Sequence, residues 1–325
     1  MIRFILGLAV CLVTLPLASQ QSRAQPGWPD KPIRVIVPLP AGSAVDVVGR
    51  LIMGKLGERL GQIMVLENRA GASGALGSEA IAKAAPDGYT LGMATSTTHV
   101  TTAILNAKLP YDPVKDFAPV ALIGLVPYTL AVAPKLPVNN LKELLALAKA
   151  KPKMLSYSSV GNASQAYLAT ELMSSMAGIE LNHVPYRTSS QAILDLAEGR
   201  IDITFGLLAT MLPLLKEGRI RALAVTTEKR TEDIPDVPTM AEAGLPGFEA
   251  SLWFAVVAPA ALPAPLLTRL NREINAILTE PEVKRVLSAQ AITVELRTPE
   301  ALRELIRVDI EKWRAIAAKA GVKPE

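Results

Sequence analysis

The sequence predicts an α/β fold of two doubly wound domains, each with a mainly parallel sheet covered by helices. Short runs of β-branched residues alternate with amphipathic helical segments, which is the pattern of parallel α/β architecture. After an apolar N-terminal segment about 300 residues remain, enough for two domains of ordinary size. The single cysteine, Cys11, lies in that segment, so we expect a fold stabilised by core burial without disulfides.

The first hundred residues predict a β-α-β-α-β unit. Strands are expected at 33–37, 63–67 and 89–94, and helices at 43–60 and 74–85. A turn signal, Pro86-Asp87-Gly88, precedes the third strand.

A second unit follows the stretch 119–138, whose four prolines favour two buried strands with turns over a membrane helix. Asn140 and Glu143 form a capping box at the start of a helix that ends near Ala150. Further strands are expected at 155–158, 181–185, 201–205 and 222–226, and helices at 165–177 and 191–198.

The C-terminal part contains one predicted strand, 253–258, a helix at 265–278 and a last helix capped by Thr298. Trp313 falls on the apolar face of that last helix and is expected in the core. The tail has too few strands for a third domain, so we expect it to return to the first. We therefore predict domain I at 25–125 and 250–325, domain II at 126–249, and a ligand cleft between them, with a two-crossing hinge near 124–128 and 247–253.

The N-terminal segment has the three parts of a secretory signal peptide. Arg3 is the positive charge, residues 5–17 are apolar, and Ser22 and Ala24 are small residues at the cleavage site. A membrane anchor is the alternative, but a spanning helix needs about 20 apolar residues. We therefore expect cleavage of residues 1–24, a mature chain that begins near Gln25, and a periplasmic location.

The charge distribution argues against a nucleic-acid partner. Loss of Arg3 and Arg23 with the signal peptide lowers the formal charge from +4 to +2. The remaining basic residues are scattered and often adjoin acids, as in Lys142-Glu143. This pattern is typical of a solvated surface, and we expect no nucleic acid to bind.

The inventory of catalytic groups is small. The chain has two histidines, His99 and His183, and no cysteine after the signal peptide, so we expect no metal and no thiol chemistry. It contains no Gly-x-Ser-x-Gly, His-Glu-x-x-His or phosphate-loop motif, and no nucleophile–base pair is evident. The glycine-rich segment 71–77 lacks the opening Gly-x-Gly of a dinucleotide turn. The sequence thus predicts neither an enzyme nor a bound cofactor.

Small, neutral, hydroxyl- or glycine-rich loops recur where a strand ends and a helix begins. The four loops lie at 40–44, 95–98, 158–164 and 188–190. In an α/β sheet such loops lie at the carboxyl ends of strands, where ligands bind, and helix N-termini favour anions. Each loop taken alone could be only an N-cap, but their recurrence in both units favours a binding cleft.

Three residues have two interpretations each. Asp46 either favours the dipole of the first helix or is a structural acceptor that fixes the loop around it. Arg187 pairs either with a ligand carboxylate or with a surface acid. His99 either packs or caps within its loop, or contacts the ligand.

Several motifs resemble the Bug-type solute-binding receptors of tripartite tricarboxylate transporters. They are IRVIVP at 33–38 with PAG at 40–42 and Asp46, ENRAGASG at 67–74, APDGYTL at 85–91, VPYR at 184–187, GRID at 199–202, VPTMAEAG at 237–244, and Trp253 with Pro259. They cover essentially the whole mature chain in order. The resemblance implies a fold like the type II periplasmic binding proteins, closing over a carboxylated ligand held by backbone N–H groups, hydroxyls and waters.

The resemblance also implies which residues contact the ligand. By position these are Leu39, Pro40, Ala41, Gly42, Ser43, Asp46, Thr95, Ser96, Thr97, Thr98, Ser158, Ser159, Gly161, Ser164, Arg187 and Thr188. The chain departs from the family pattern at five places: Leu39 replaces a frequent aromatic residue, 43–45 a run richer in Gly, Thr or Pro, Tyr167 a frequent His, Thr188 a frequent Gly, and Gly206 a common acid. Loss of that acid makes an amino acid ligand less expected.

We therefore expect a transport receptor that captures a small mono-, di- or tricarboxylate with micromolar-range affinity, about 8 kcal/mol. It would hand the solute to the membrane subunits of a tripartite tricarboxylate transporter and act as a monomer. The alternatives are a ligand-sensing accessory protein for a membrane signalling kinase and, third, a secreted hydrolase.

Overall fold

In the computed structural model, residues 27–161 and 164–322 are described, and the predicted signal peptide lies outside them. The described strands are β1 Ile33–Val37, β2 Met64–Asn68, β3 Thr90–Thr95, β4 Phe117–Val126, β5 Tyr128–Val132, β6 Ser156–Ser159, β7 Asn182–Pro185, β8 Ile203–Leu207, β9 Arg221–Val225 and β10 Leu252–Pro259. The described α-helices are α1 Ala44–Leu60, α2 Ala75–Ala82, α3 Thr102–Leu105, α4 Leu141–Ala150, α5 Gln165–Ala177, α6 Ser189–Ala197, α7 Leu208–Lys216, α8 Ala264–Leu278, α9 Pro281–Ser288 and α10 Pro299–Lys319.

These strands form two five-stranded sheets that share one design. The first sheet has the order β2-β1-β3-β10-β4 and the second has the order β7-β6-β8-β5-β9. In each sheet four strands run in one direction, and the fourth position is taken by an antiparallel strand, β10 or β5. The α/β class predicted from the sequence is confirmed, with helices on the faces of both sheets.

The antiparallel strand of each sheet is the one that arrives from the other sheet. Strand β4 ends at Val126 in the first sheet, and β5 begins at Tyr128 in the second. The return passes from β9 to β10, and Thr226 joins the two crossings, because its N–H donates to the Tyr128 carbonyl at 3.0 Å. Strands β5 and β10 run antiparallel to their neighbours, so each begins beside the point where those neighbours end. Both crossings therefore lie at the carboxyl edges of the two sheets.

Apolar side chains on the two faces of the sheets make three clusters. One contains Trp253 and Trp313 and extends from the first sheet through α10 to Tyr157 and Phe205 of the second. Another lies between the opposite face of the first sheet and helices α1 and α8, and a smaller one lies under α6 and α7. Trp313 is a core residue, as its helical spacing predicts, and the C-terminal strand and helices return to the first sheet.

The structure differs from the sequence prediction in several elements. The predicted helix 74–85 begins as a 3-10 turn at Ala72–Gly74 and ends at Ala82, and a π-helical turn, Thr97–Thr101, leads into α3. Helix α7 was not predicted, because Pro213 lies inside it and proline normally interrupts a helix. The described residues contain no helix long and apolar enough to cross a membrane.

Candidate functional site

The first predicted loop is held by Asp46, which lies in the first turn of α1 and is only 2% exposed. The Gly42 N–H donates to its Oδ2 at 2.9 Å, and Asn68 Nδ2 donates to its Oδ1 at 2.9 Å. The same Asn68 nitrogen donates to the Leu39 carbonyl at 3.1 Å. Asp46 is therefore the structural acceptor that ties both ends of the loop to α1 and β2.

The carboxyl of Asp46 ionises readily despite its burial. Burial alone would raise its pKa, but hydrogen bonds from Arg50, Gly42 and Asn68 and the nearby Arg50 charge outweigh that cost and lower the pKa below its usual value. Arg50 lies 3.0 Å from Oδ1 across one helical turn. The negative charge at this helix start is thus compensated within the protein.

The start of α1 has no side-chain cap. Ser43 occupies the N-cap position with an extended backbone, but its hydroxyl makes no capping bond and has no partner among the described residues. The N–H groups of a first helical turn have no partner inside the helix, and they carry about half a positive charge. The loop Leu39–Ser43 therefore presents a helix start with free hydrogen-bonding capacity.

The second predicted loop closes on itself. The Thr95 N–H donates to Thr98 Oγ1, and the Thr98 N–H donates to Thr95 Oγ1, both at 3.1 Å. The Ser96 hydroxyl is buried and has no partner in the described part of the chain. Thr97 lies on the wall of a cavity of about 360 Å³ with Ser73 and Asn106. Of the four predicted contacts in this loop, Thr97 alone has a side chain that is not buried.

His99 belongs to the core and not to the ligand cleft. Its ring is fully buried, with its centroid 4.5 Å from that of Phe117 and 6.3 Å from that of Trp253. Burial lowers its pKa to about 3, so the imidazole is neutral at pH 7. The packing interpretation of His99 is therefore the one that the structure supports.

The third loop follows β6 and is held by hydroxyl groups. Ser158 donates to Thr204 Oγ1 at 2.7 Å, below the surface of the cleft. Ser164 caps α5 by accepting from the Tyr167 N–H at 3.2 Å, and its hydroxyl donates to the Gly161 carbonyl at 2.8 Å. Gly161 has a positive φ of 102°, which favours glycine. For Ser164 the N-cap interpretation thus holds, and Ser158 is too deeply buried to touch a solute.

Ser159 and His183 form a pair that the sequence did not indicate. Ser159 Oγ lies 2.7 Å from His183 Nε2, although the two residues are 24 positions apart. The parallel register of β6 and β7 sets Tyr157 beside His183, and so brings His183 onto the same face as Ser159. This contact does not by itself make a nucleophile–base pair, because the Ser159 hydroxyl also donates to the Gly161 carbonyl at 3.1 Å. In the described residues, moreover, no carboxylate bonds to His183, as a catalytic triad would require.

The fourth loop has one capping residue and one exposed cation. Thr188 caps α6 by accepting from the Gln191 N–H at 3.3 Å. Arg187 is exposed at the end of β7, and within the described ranges it has neither an ion pair nor a side-chain hydrogen bond. Arg187 therefore differs from most of the site candidates, since its side chain is uncommitted.

A cavity of about 110 Å³ lies at the carboxyl edge of the second sheet. It contains two of the predicted residues, Ser159 and Ser164. The other walls come from the crossing, from β8 and from α6, and include Tyr128, Ile193, Thr204, Phe205 and Leu207. These residues were missed because nothing in a hydrophobic strand such as 203–207 distinguishes a cavity wall from core.

The topology makes the loops of the two sheets face each other. The segments that follow β1 and β3 leave the carboxyl edge of the first sheet, those that follow β6 and β7 leave that of the second, and both crossings join these edges. One bond spans them directly, from Thr101 Oγ1 to Gln165 Oε1 at 3.4 Å. The described residues hold no cluster of three or more metal-ligating side chains.

Two α/β units with facing carboxyl edges and two crossings define a solute-binding protein of the periplasmic class. Residues 48–322 match the family described as "Tripartite tricarboxylate transporter family receptor", and the chain belongs to this family. The resemblance to Bug-type receptors that the motifs carry is thereby confirmed.

Relatives of this chain match it over nearly its full length. Protein BugT of Bordetella pertussis is 36% identical over 324 residues, which is 99% of each chain. A solved R. palustris protein with adipate is 36% identical, with a TM-score of 0.75, and covers 92% of this chain and 100% of its own. MatC of Rhodopseudomonas palustris, with bound malate, is 32% identical with a TM-score of 0.70, covering 89% and 99%.

Proposed function

We propose that this protein is an exported receptor that captures a small organic acid in the cleft between its two sheets and delivers it to the membrane subunits of a tripartite tricarboxylate transporter. The uncapped start of α1, fixed by Asp46, carries the proposal, because it offers N–H donors and partial positive charge without a competing side chain. The adipate and malate that two relatives hold support a carboxylate ligand.

In this proposal the first sheet holds the carboxylate. The Ser43 hydroxyl, the Thr97 side chain and the first-turn N–H groups of α1 offer donors at its carboxyl edge, and the loops of the second sheet close over the other side. Arg187 is the one predicted contact with a positive charge, and its exposure suits a cation that meets the ligand or solvent at the mouth of the cleft.

The sheet topology supports the domain division proposed here. We assign residues 25–125 and 250–325 to domain I and 126–249 to domain II, with β1 to β4 and β10 in one and β5 to β9 in the other. Closure about the crossings would lower the radius of gyration on ligand addition, which small-angle X-ray scattering of the monomer measures. An unchanged radius with a bound acid would contradict a hinged receptor.

The direct experiment is a thermal-shift screen of the mature chain over mono-, di- and tricarboxylates, with neutral sugars and organic bases as controls. A ligand at about 100 times its dissociation constant adds about 2.7 kcal/mol of stability. An acid that raises the midpoint supports the proposal. Shifts by sugars or bases alone would overturn it.

The sensory alternative uses the same cleft and differs in its partner. Pull-down from membranes with the ligand-loaded protein distinguishes the two, since transporter subunits are expected and a histidine kinase would support the alternative. Mass spectrometry of the periplasmic fraction tests export, with a mature chain that begins at Gln25.

A further inference from the structure

The cavity of the second sheet has a lining that is mostly apolar and uncharged. Phe205, Ile193, Leu207, Ala192 and Val160 contribute carbon surface to it. No Asp, Glu, Lys, Arg or His is among the described residues that line this cavity. It therefore contains no cation that could compensate a buried carboxylate.

Three of the six hydroxyl groups that the described lining contributes donate to backbone carbonyls of the protein. Ser164 donates its proton to the Gly161 carbonyl at 2.8 Å, and Thr210 donates to the Leu207 carbonyl at 2.7 Å. The Ser159 hydroxyl donates to the Gly161 carbonyl at 3.1 Å and lies 2.7 Å from His183 Nε2. The other three belong to Tyr128, Ser189 and Thr204 and are neutral, so no described side chain of the lining compensates the charge of a carboxylate. Transfer of an ionised group from water to such a site is unfavourable. A hydrocarbon group meets no such penalty.

The position of the cavity relates it to the carboxylate site. Leu207 lines the cavity. It also packs against the apolar cluster between the first sheet and α1, which Leu39 of the first loop contacts too. Val160 also lines the cavity and is 42% exposed, so its side chain meets both the cavity and solvent. Leu207 thus links the cavity to the apolar cluster that Leu39 of the first loop also contacts.

We propose that the ligand is a monocarboxylate with a short apolar body, whose carboxylate binds at the start of α1 and whose body occupies this cavity. The inference rests on the function proposed above and narrows its substrate class. A cavity of about 150 Å³ lined by Leu, Ile and Phe holds benzene, so the smaller volume here fits a body of about four carbons. Pentanoate is the matching acid.

Isothermal titration calorimetry on the mature protein tests this by comparing straight-chain monocarboxylates with a dicarboxylate of equal carbon number. From propanoate to pentanoate we expect about a fourfold gain in affinity for each methylene, the value for burial of one CH₂ group. Glutarate, with a second carboxylate in place of the terminal methyl, is expected to bind at least tenfold more weakly than pentanoate. Malate, adipate and citrate complete the comparison.

The outcomes separate the two proposals. If a di- or tricarboxylate binds more tightly than the matched monocarboxylate, the apolar-body inference is wrong and the carboxylate receptor stands. If no acid of any class binds, the proposed function fails as well.

A pair of surface variants tests whether the carbon body of the ligand occupies this cavity. Val160→Asp places a carboxylate at the cavity and should weaken pentanoate binding at least tenfold. Leu194→Asp is the control, since Leu194 is 49% exposed on α6 and is not part of the lining. Both changes lie at exposed positions, and circular dichroism verifies their folding. Unchanged pentanoate affinity in folded Val160→Asp would overturn the assignment of the cavity.

Discussion

The backbone N–H of Gly42 donates to the carboxylate of Asp46 at 2.9 Å, and this bond fixes the first loop against the start of α1. Gly42 has a φ of 78°, a left-handed conformation that favours glycine. The acid is buried, so it acts on the loop and not on the ligand. Preorganisation of this kind lowers the cost of binding, because the loop is already ordered before the solute arrives.

Asp46→Ala should therefore weaken ligand binding more than it weakens folding. The substitution leaves the Gly42 N–H and Asn68 Nδ2 without their acceptor, at a cost of about 1–3 kcal/mol in unfolding free energy. Affinity is expected to fall at least tenfold, measured by calorimetry beside urea unfolding. Arg50→Ala is the comparison variant, since it removes the charge partner of the buried Asp46 carboxylate but leaves the acceptor of the Gly42 N–H in place. Affinity should therefore fall less in Arg50→Ala than in Asp46→Ala. Equal binding by folded Asp46→Ala would contradict this role.

Gly77→Ala should destabilise the protein. A Cβ at Gly77 would lie 2.6 Å from the Arg69 carbonyl oxygen and 2.6 Å from Pro38 Cα, both backbone atoms next to the first ligand loop. Overpacking of this kind costs about 1–3 kcal/mol. Gly54→Ala in α1 is the control, because nothing lies within 4 Å of its Cβ. That change should stabilise the helix by about 0.5–1 kcal/mol, and chemical denaturation measures both. An unchanged free energy of unfolding in Gly77→Ala would show that α2 can move away from Pro38.

The buried, neutral His99 should cause the free energy of unfolding to fall as the pH is lowered. Its pKa is about 3 in the folded state because of burial, against 6.5 as its ordinary value, so below pH 6.5 the unfolded chain binds the extra proton. Stability is fully present above pH 6.5 and decreases as the pH falls toward 3. Between pH 6.5 and 5 the loss from this residue is about 2 kcal/mol. Urea unfolding of His99→Phe, which cannot titrate, should show a flatter pH dependence in that window. An equal slope in both proteins would exclude His99 as the cause.

The Ser159–His183 pair should not hydrolyse esters. Burial lowers the pKa of His183, which keeps its nitrogen neutral, but the described residues include no carboxylate bonded to the ring as an orienting group. We expect the same background turnover of p-nitrophenyl butanoate with the natural protein and with Ser159→Ala. Turnover that disappears in both Ser159→Ala and His183→Ala would establish the hydrolase alternative.

Local signals in the sequence predicted most secondary structure. The helix Gln165–Ala177 has its predicted bounds, and Asn140 and Thr298 cap their helices as expected. Helix α7 and the π-helical turn at Thr97–Thr101 were not predicted, because Pro213 and a run of threonines have propensities that disfavour helices, and tertiary packing overrides them.

The candidate site was predictable only as a set of loops. Neutral residues after strands indicate the carboxyl edge of a sheet, so the segments at 39–43, 95–98, 158–164 and 187–188 could be found without coordinates. Which side chains in them are free could not. Ser164 and Thr188 cap their helices and Ser43 does not, a difference that depends on rotamer and loop geometry and not on residue type.

Local sequence patterns were enough to predict the α/β class, the order of the strands and of most helices, and the neutral character of the candidate ligand loops, because these depend on periodicity and residue type within short segments. The tertiary structure alone decided that Asp46 binds the loop, that Ser159 meets His183, and that an uncharged cavity lies under Val160. Each of these relations joins residues on different elements or in a non-repeating loop. Their distances follow from sheet register and from the two crossings, which no local pattern records.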